Sequence, residues 1–248
     1  MRHALLLLLA LAGPATAERP AALHRLPEPA GLARLVLPEG TVWGGLVILL
    51  PDALGEDGRS EPYVDSLLAR GIATLALGLG QDQAAGPAED PAATPQAART
   101  AIDWAETAGF APSRIGLLGF GLGGRAALAA AGGLPAVALY PGCPGLALPG
   151  SPALVLVGEA AAAGCAALPV PPGVTLRLIP GAGHGWDAPG AMWPSPGPLL
   201  PDPAGGPRLR ASADHAVTLL AAEAAADWFE AHLASPPAGV ARARADAR

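Results

Sequence analysis

The sequence predicts an α/β fold of the doubly wound kind, a mostly parallel sheet with helices on both faces. Short, continuous apolar runs recur along the chain, longer Ala-rich stretches with periodic polar residues separate them, and Gly and Pro punctuate the joins. Apolar strands without polar alternation suit a parallel sheet covered on both sides, and their alternation with helical segments suits a layered architecture.

Taken in order, the expected strands lie at 41–50, 71–77, 115–118, 135–140, 153–157 and 174–179, and the expected helices at 63–70, 95–108, 124–131 and 213–234. The second helix opens with Thr94-Pro95, an N-cap followed by proline at the first helical position. Between 186 and 210 the chain is dense in Pro and Gly, Trp186 and Trp193 included, as in a lid or rim beside a site. Residues 18–235 are expected to form one domain, and the Arg-bearing end at 236–248 a solvated tail.

Composition excludes some functions. Among 248 residues, 51% are hydrophobic, enough for a sizeable core. The 15 basic residues, all arginine, face 21 acidic ones, and a net charge of −6 leaves no footprint for nucleic acid. The absence of lysine beside abundant Ala, Gly, Pro and Arg reads as a coding bias, so little chemistry is assigned to any single arginine. No His, Asp and Glu cluster has metal-ligand spacing, and no cofactor is implied.

At the N-terminus, Arg2 and His3 precede an apolar run ending near Ala12, and Ala15-Thr16-Ala17 supplies an A-x-A site. These are the parts of a signal peptide at residues 1–17, and the run is too short to span a bilayer. The mature chain is therefore expected to be periplasmic or secreted, without a transmembrane segment. In that compartment the two cysteines, Cys143 and Cys165, are expected to pair. The other reading of Cys143 is a displaced thiol nucleophile, which pairing would exclude.

The chemistry gathers at two places. "RIGLLGFGLGGRAALAAA" is a buried strand, a glycine turn and a small-residue helix, the way a nucleophile is presented on a G-x-S-x-G turn. Here its middle residue is Gly121. "LIPGAGHGWD" is a strand followed by a glycine-rich loop carrying His184, which flanking glycines leave little to pack against.

With "LLPDALGEDGRSEPYVDSLLARGIATLAL", "GFGLGG", "ALYPGC", "VLVGEA" and "PGAGHGWD" in this order, the chain resembles the dienelactone hydrolase-like group of the α/β-hydrolases over roughly residues 40–232. The resemblance implies that fold and a site at the strand ends. It places the nucleophile at Gly121, the acid at Ala160 or Ala161, and the base at His184. One oxyanion donor is expected from the loop Asp52-Ala53-Leu54, at Ala53, and the other from the backbone N–H of Leu122. Asp52 falls where dienelactone hydrolases carry a glutamate, and Trp186, Asp187 and Ala188 fall where a substrate-binding arginine would be sought. Two of three triad positions thus lack a functional side chain.

Loss of the nucleophile alone costs such a unit on the order of a millionfold in kcat. The expected protein is therefore an inactive or weakly active pseudoenzyme, its backbone donors free to hold a small ester, lactone or carbonyl ligand. A second reading is an active ester or lactone hydrolase in which His184, with Asp52 or Glu159, activates water. A third is a scaffold for another exported protein.

Overall fold

The structure, a computed structural model, describes residues 21–40, 44–78, 93–189 and 197–233. The signal at 1–17, the tail at 236–248 and Trp193 lie outside the described residues. In chain order the main strands are β1 (Ala21–Arg25), β2 (Leu32–Val36), β3 (Gly45–Leu50), β4 (Ile72–Ala76), β5 (Ile115–Phe120), β6 (Ala136–Leu139), β7 (Ala153–Gly158) and β8 (Val174–Ile179). They form one sheet in the order β1-β2-β4-β3-β5-β6-β7-β8. From β4 to β8 every pairing is parallel, with Ile48 opposite Leu75 and Leu117, and Val155 opposite Ala138 and Leu176. The hairpin of β1 and β2 adds an antiparallel edge. It was not expected from the sequence because its first strand is short and largely exposed, with none of the continuous apolar character of the centre.

The helices are α1 (Glu61–Ala69), α2 (Pro95–Thr107), α3 (Leu122–Ala130) and α4 (His215–His232). Successive strand residues face opposite sides, so Leu46, Ile48 and Leu50 join one core with alanines of α2 and α3, whereas Val47 and Leu49 join the other with Tyr63, Leu67 and Phe229 of α1 and α4. Each fully buried Leu, Ile or Phe stabilises the fold by about 1.5–3 kcal/mol relative to exposure. The helix starts follow the sequence closely. Thr94 accepts a hydrogen bond from Ala97 N at 3.2 Å to open α2, and Asp214 accepts from Ala216 and Val217 N to open α4, which makes His215 its first residue.

Two features lie within the Pro/Gly-rich excursion. Strands β9 (Leu199–Leu200) and β10 (Leu209–Arg210) pair as a small ribbon. Trp186, expected at a rim, is instead completely buried in the core against α4. Its carbonyl accepts from Thr218 Oγ1 and Asp214 N, which ties the excursion to the start of that helix. Among the described residues no helix is long and apolar enough to cross a membrane.

Because β3, β5, β6, β7 and β8 are parallel, their carboxyl ends lie along one edge of the sheet. Asp52, Gly121, Tyr140, Ala160 and His184 all follow these ends. Ligand sites of open parallel sheets form there.

Candidate functional site

The turn after β5 keeps the geometry of a nucleophile-bearing elbow. Gly121 has φ 51° and ψ −112°, a conformation a side-chain-bearing residue would hold only with strain. The packing explains the glycines on either side. A Cβ on Gly119 would strike the Gly123 carbonyl, and one on Gly123 would strike the carbonyls of Pro51 and Leu50. The end of β3 therefore presses directly on the elbow.

That contact brings Asp52 into the place of the expected nucleophile. A Cβ built on Gly121 would overlap Asp52 Oδ1. The same oxygen accepts from Ala53 N at 2.8 Å and Leu122 N at 3.3 Å. These are the two backbone donors that the sequence assigned to an oxyanion hole. Both donate to this internal carboxylate. Asp52 is 0% exposed, and its Oδ2 accepts from Arg59 Nη1 at 2.9 Å.

Arg59 is the functional residue that the sequence reading missed, and the low weight given to single arginines is corrected by it. Its guanidinium is buried and also grips Asp57, with Nε on Oδ1 at 2.8 Å and Nη2 on Oδ2 at 2.6 Å. Burial opposes the charge, but the Tyr140 phenol, Asp57, Asp52 and Asp187 outweigh it and hold the pKa well above its usual value. Nη1 also donates to Tyr140 Oη at 3.3 Å. Tyr140 donates onward to Asp187 Oδ1 at 2.5 Å, Tyr63 donates to Asp187 Oδ2 at 2.8 Å, and Trp186 Nε1 donates to Tyr63 Oη at 3.0 Å.

The network runs from β3 to the loop after β8 with donors and acceptors in alternation. Tyr140 takes a positive φ of 40°, a strained conformation for a non-glycine residue, and its hydroxyl lands between Arg59 and Asp187. Burial pushes the pKa of Asp187 up to about 6, against the pull of Arg59 and of both phenols. Burial, and then Asp187, push the pKa values of Tyr63 and Tyr140 well above the ordinary range, so both remain donors.

The other half of the site is open. His184 sits at the wall of a cavity of about 350 Å³ beside Ala160 and Ala161, where the resemblance places the acid. Its ring is 5.0 Å from that of Tyr140, edge to face. His184 is 5% exposed, and its Nε2 is buried with no hydrogen-bond partner among the described residues. Burial lowers the imidazole pKa; Asp52 pulls it back up, Arg59 adds to the fall, and Asp202 again raises it. The ring is therefore neutral at pH 7.

Glu159 does not orient this histidine. Its Oε2 accepts from Gly181 N at 3.2 Å on the exposed side of the loop. Asp202, Arg210 and Ser212, none singled out from the sequence, add to the polar part of the wall. All lie in or next to the excursion, far from His184 in sequence, so no local spacing pointed to them.

Solved structures match this architecture. Dienelactone hydrolase from Anabaena variabilis aligns with a TM-score of 0.58 at 20% identity, over 88% of this chain and 99% of that one. A putative dienelactone hydrolase from Klebsiella pneumoniae gives 0.60 at 17% identity, over 85% and 98%. A dienelactone hydrolase-like promiscuous phosphotriesterase from metagenomic libraries gives 0.59 at 17% identity, over 87% and 99%. The chain has the fold of the dienelactone hydrolase-like α/β-hydrolases. No family model and no curated protein matches the sequence.

Within this α/β-hydrolase fold, Cys143 and Cys165 form a disulfide, so neither is a free thiol. The bond joins the loop after β6 to the loop after β7, two walls of the cavity beside His184. Arg125 fixes the first of these loops, donating from Nε to Pro141 O at 2.8 Å and from Nη2 to Gly142 O at 3.0 Å and Pro144 O at 2.6 Å. Among the described residues no group of three or more His, Cys, Asp or Glu is placed to hold a metal ion.

Proposed function

We propose that this chain is an exported α/β-hydrolase-fold protein without hydrolytic turnover, a pseudoenzyme that holds a small ester, lactone or carbonyl ligand beside its remaining histidine. One observation carries the loss of turnover. The Asp52 carboxylate fills the nucleophile's space and takes both oxyanion donors, so a substrate carbonyl finds neither an attacking atom nor a hole for its oxygen. Removing a single donor of such a hole costs about 2.7–4 kcal/mol in transition-state stabilisation, and here both are engaged. The neutral, unpaired His184 is left as a polar wall of a cavity. Export at residues 1–17 is supported by the disulfide, which persists in an oxidising compartment.

The competing reading is a hydrolase in which His184 activates water. It draws on the same unpaired Nε2, with Asp202 as the nearby charge. Asp52, which that reading needs beside the water, is instead sealed by Arg59.

Turnover of p-nitrophenyl acetate and of γ-butyrolactone by the wild type and His184→Ala separates the two. Equal background rates support the pseudoenzyme; hydrolysis that His184→Ala abolishes refutes it. Gly121→Ser by itself is expected to give no activity, because its side chain meets Asp52. Combined with Asp52→Gly, it is expected to gain at most about a hundredfold, the residual worth of a Ser–His pair lacking its acid.

A further inference from the structure

At one margin of the main sheet, β8 has β7 on one side and, among the described residues, no strand on the other. An open edge presents a row of unpaired backbone groups, a ready template for another strand. Here α4 stops short of the edge and leaves a groove of about 510 Å³ whose walls include Leu154, Arg177, Leu220, Glu223, Asp227 and Trp228. Apolar exposure gathers at the same place. Of the large apolar side chains exposed among the described residues, Val170, Leu178, Leu219 and Leu220 belong to β8, the turn before it or α4.

The backbone fixes which groups face outward. Ala153 N donates to Gly173 O at 3.2 Å, and Ala153 pairs with Val174 in the parallel register. Bonds of a parallel ladder come from every second residue, so Thr175 and Arg177 direct their backbone groups to β7. Leu176 and Leu178 turn both of theirs outward, as does the Val174 carbonyl, while the Val174 N–H is taken by Pro171 O at 3.2 Å. Gly173, at φ 88°, turns the chain before β8, and Pro180 has no N–H to give after it. The segment able to pair is therefore the strand itself.

We propose that β8 pairs with β8 of a second copy of this chain, antiparallel about a two-fold axis at Leu176, so that one sheet runs through both protomers. In this register the Leu176 N–H of each copy donates to the Leu176 carbonyl of the other, and the Leu178 N–H donates to the Val174 carbonyl. Moving the register two residues one way sets Arg177 against Arg177 of the other copy, and like charges directly opposite destabilise a pair. Moving it the other way sets Leu178 against Pro172, beyond the turn at Gly173.

Both faces of the strand agree with the register. On the α3 side, Val174 and Leu176 already pack on the core and Leu178 is 43% exposed, so the two copies together form one apolar strip. On the α4 side, Arg177 comes opposite the second copy's Thr175. Leu233, just after α4, packs at Gly45, the start of β3, so α4 runs against the strands and its Asp227 and Trp228 lie toward the Thr175 end of the groove. Glu223, Asp227 and Glu230 share one arginine, Arg70, whereas Arg177 makes no ion pair among the described residues. The second copy's Arg177 meets this acidic surplus with its charge, and the apolar groove takes its stem. Exposed ion pairs contribute little, so the charges select the register and the apolar strip supplies most of the affinity.

Sedimentation velocity of the purified full chain across micromolar concentrations is expected to show a monomer–dimer equilibrium. Leu178→Lys, at an exposed position, and Leu176→Pro, which removes an outward N–H and no bond to β7, act on both copies at once. Each is expected to weaken the dimer about tenfold or more. Arg177→Glu is expected to weaken it less. A circular dichroism melt checks that each variant is folded, and Leu178→Lys carries the test should Leu176→Pro melt early. On mild oxidation Leu176→Cys is expected to give a disulfide-linked dimer and Arg177→Cys none, since only position 176 meets its own copy at the axis.

A wild type that stays monomeric throughout would overturn self-pairing and leave the edge to a foreign strand. A dimer that survives both Leu178→Lys and Leu176→Pro would overturn the β8 interface; its loss on Leu23→Lys would then assign it to β1, at the opposite margin of the sheet. Cross-linking of Arg177→Cys in place of Leu176→Cys would overturn the register.

Discussion

At the ends of β3 and β5, Asp52, Arg59, Tyr140, Asp187, Tyr63 and Trp186 all find partners in one buried network, and the space a nucleophile would use is filled. At the ends of β7 and β8, a few residues away along the same sheet edge, two alanines and a histidine with an unpaired nitrogen border a cavity. The two halves of this strand-end region are thus filled differently. Against Gly121 a neighbouring carboxylate and its arginine fill the space and satisfy the backbone donors. Beside Ala160 and Ala161 the walls are fixed by a disulfide and the cavity stays open. A buried charge must be paired, so the first half is closed by electrostatic necessity; an apolar wall makes no such demand.

The largest expected effect breaks the closed half. Asp52→Ala leaves Arg59 buried with one partner fewer and the two backbone donors without their carboxylate. A loss of about 3–5 kcal/mol is expected in urea denaturation. Formate, small enough to replace the carboxylate, is expected to restore part of that stability in Asp52→Ala and none in the wild type. A variant as stable as the wild type would show that the network contributes nothing net.

Next comes the open half. Replacing both Cys143 and Cys165 by alanine releases a loop closed over a sequence separation of 22 residues and is expected to cost about 3 kcal/mol. Lactone affinity should fall with it, whereas stability lost with lactone affinity intact would detach the disulfide from the cavity.

A pH titration sharpens the comparison further. Asp187 has a folded pKa of about 6, raised from the ordinary carboxyl value of 3.8. Between those values the folded state holds a proton that the unfolded state has released. Stability therefore falls as pH rises from about 4 to about 6, by as much as about 3 kcal/mol, and levels off above. Asp187→Asn is expected to flatten this segment of the profile. Parallel profiles for the two proteins would place the titrating group elsewhere.

Much of this was legible in the residues, for reasons that differ from element to element. The central strands were readable because burial on both faces makes them continuously apolar, and β8 was placed at its observed bounds. The elbow was readable because close backbone contact demands glycine at 119 and 123 whatever stands between them. His184 and the cysteine pair stood out by their surroundings. Arg59 did not, because it looks like any surface-loop arginine until Tyr140 and Asp187, each more than 80 positions away, close over it. Asp187 itself was noted only as a departure from an expected arginine.

The amino-acid sequence by itself determined the layered fold, the glycine turn around Gly121, the alanines at 160 and 161, and a histidine in the loop after β8. Each of these is a local property of a few neighbouring residues. Only the tertiary structure decided that Asp52 lies against Gly121, that Arg59 seals it there, that Trp186 is core rather than rim, and that a cavity opens beside Ala160 and Ala161. Those outcomes depend on which distant groups share a buried volume. Inside such a volume the need to pair every charge and donor outweighs local preference.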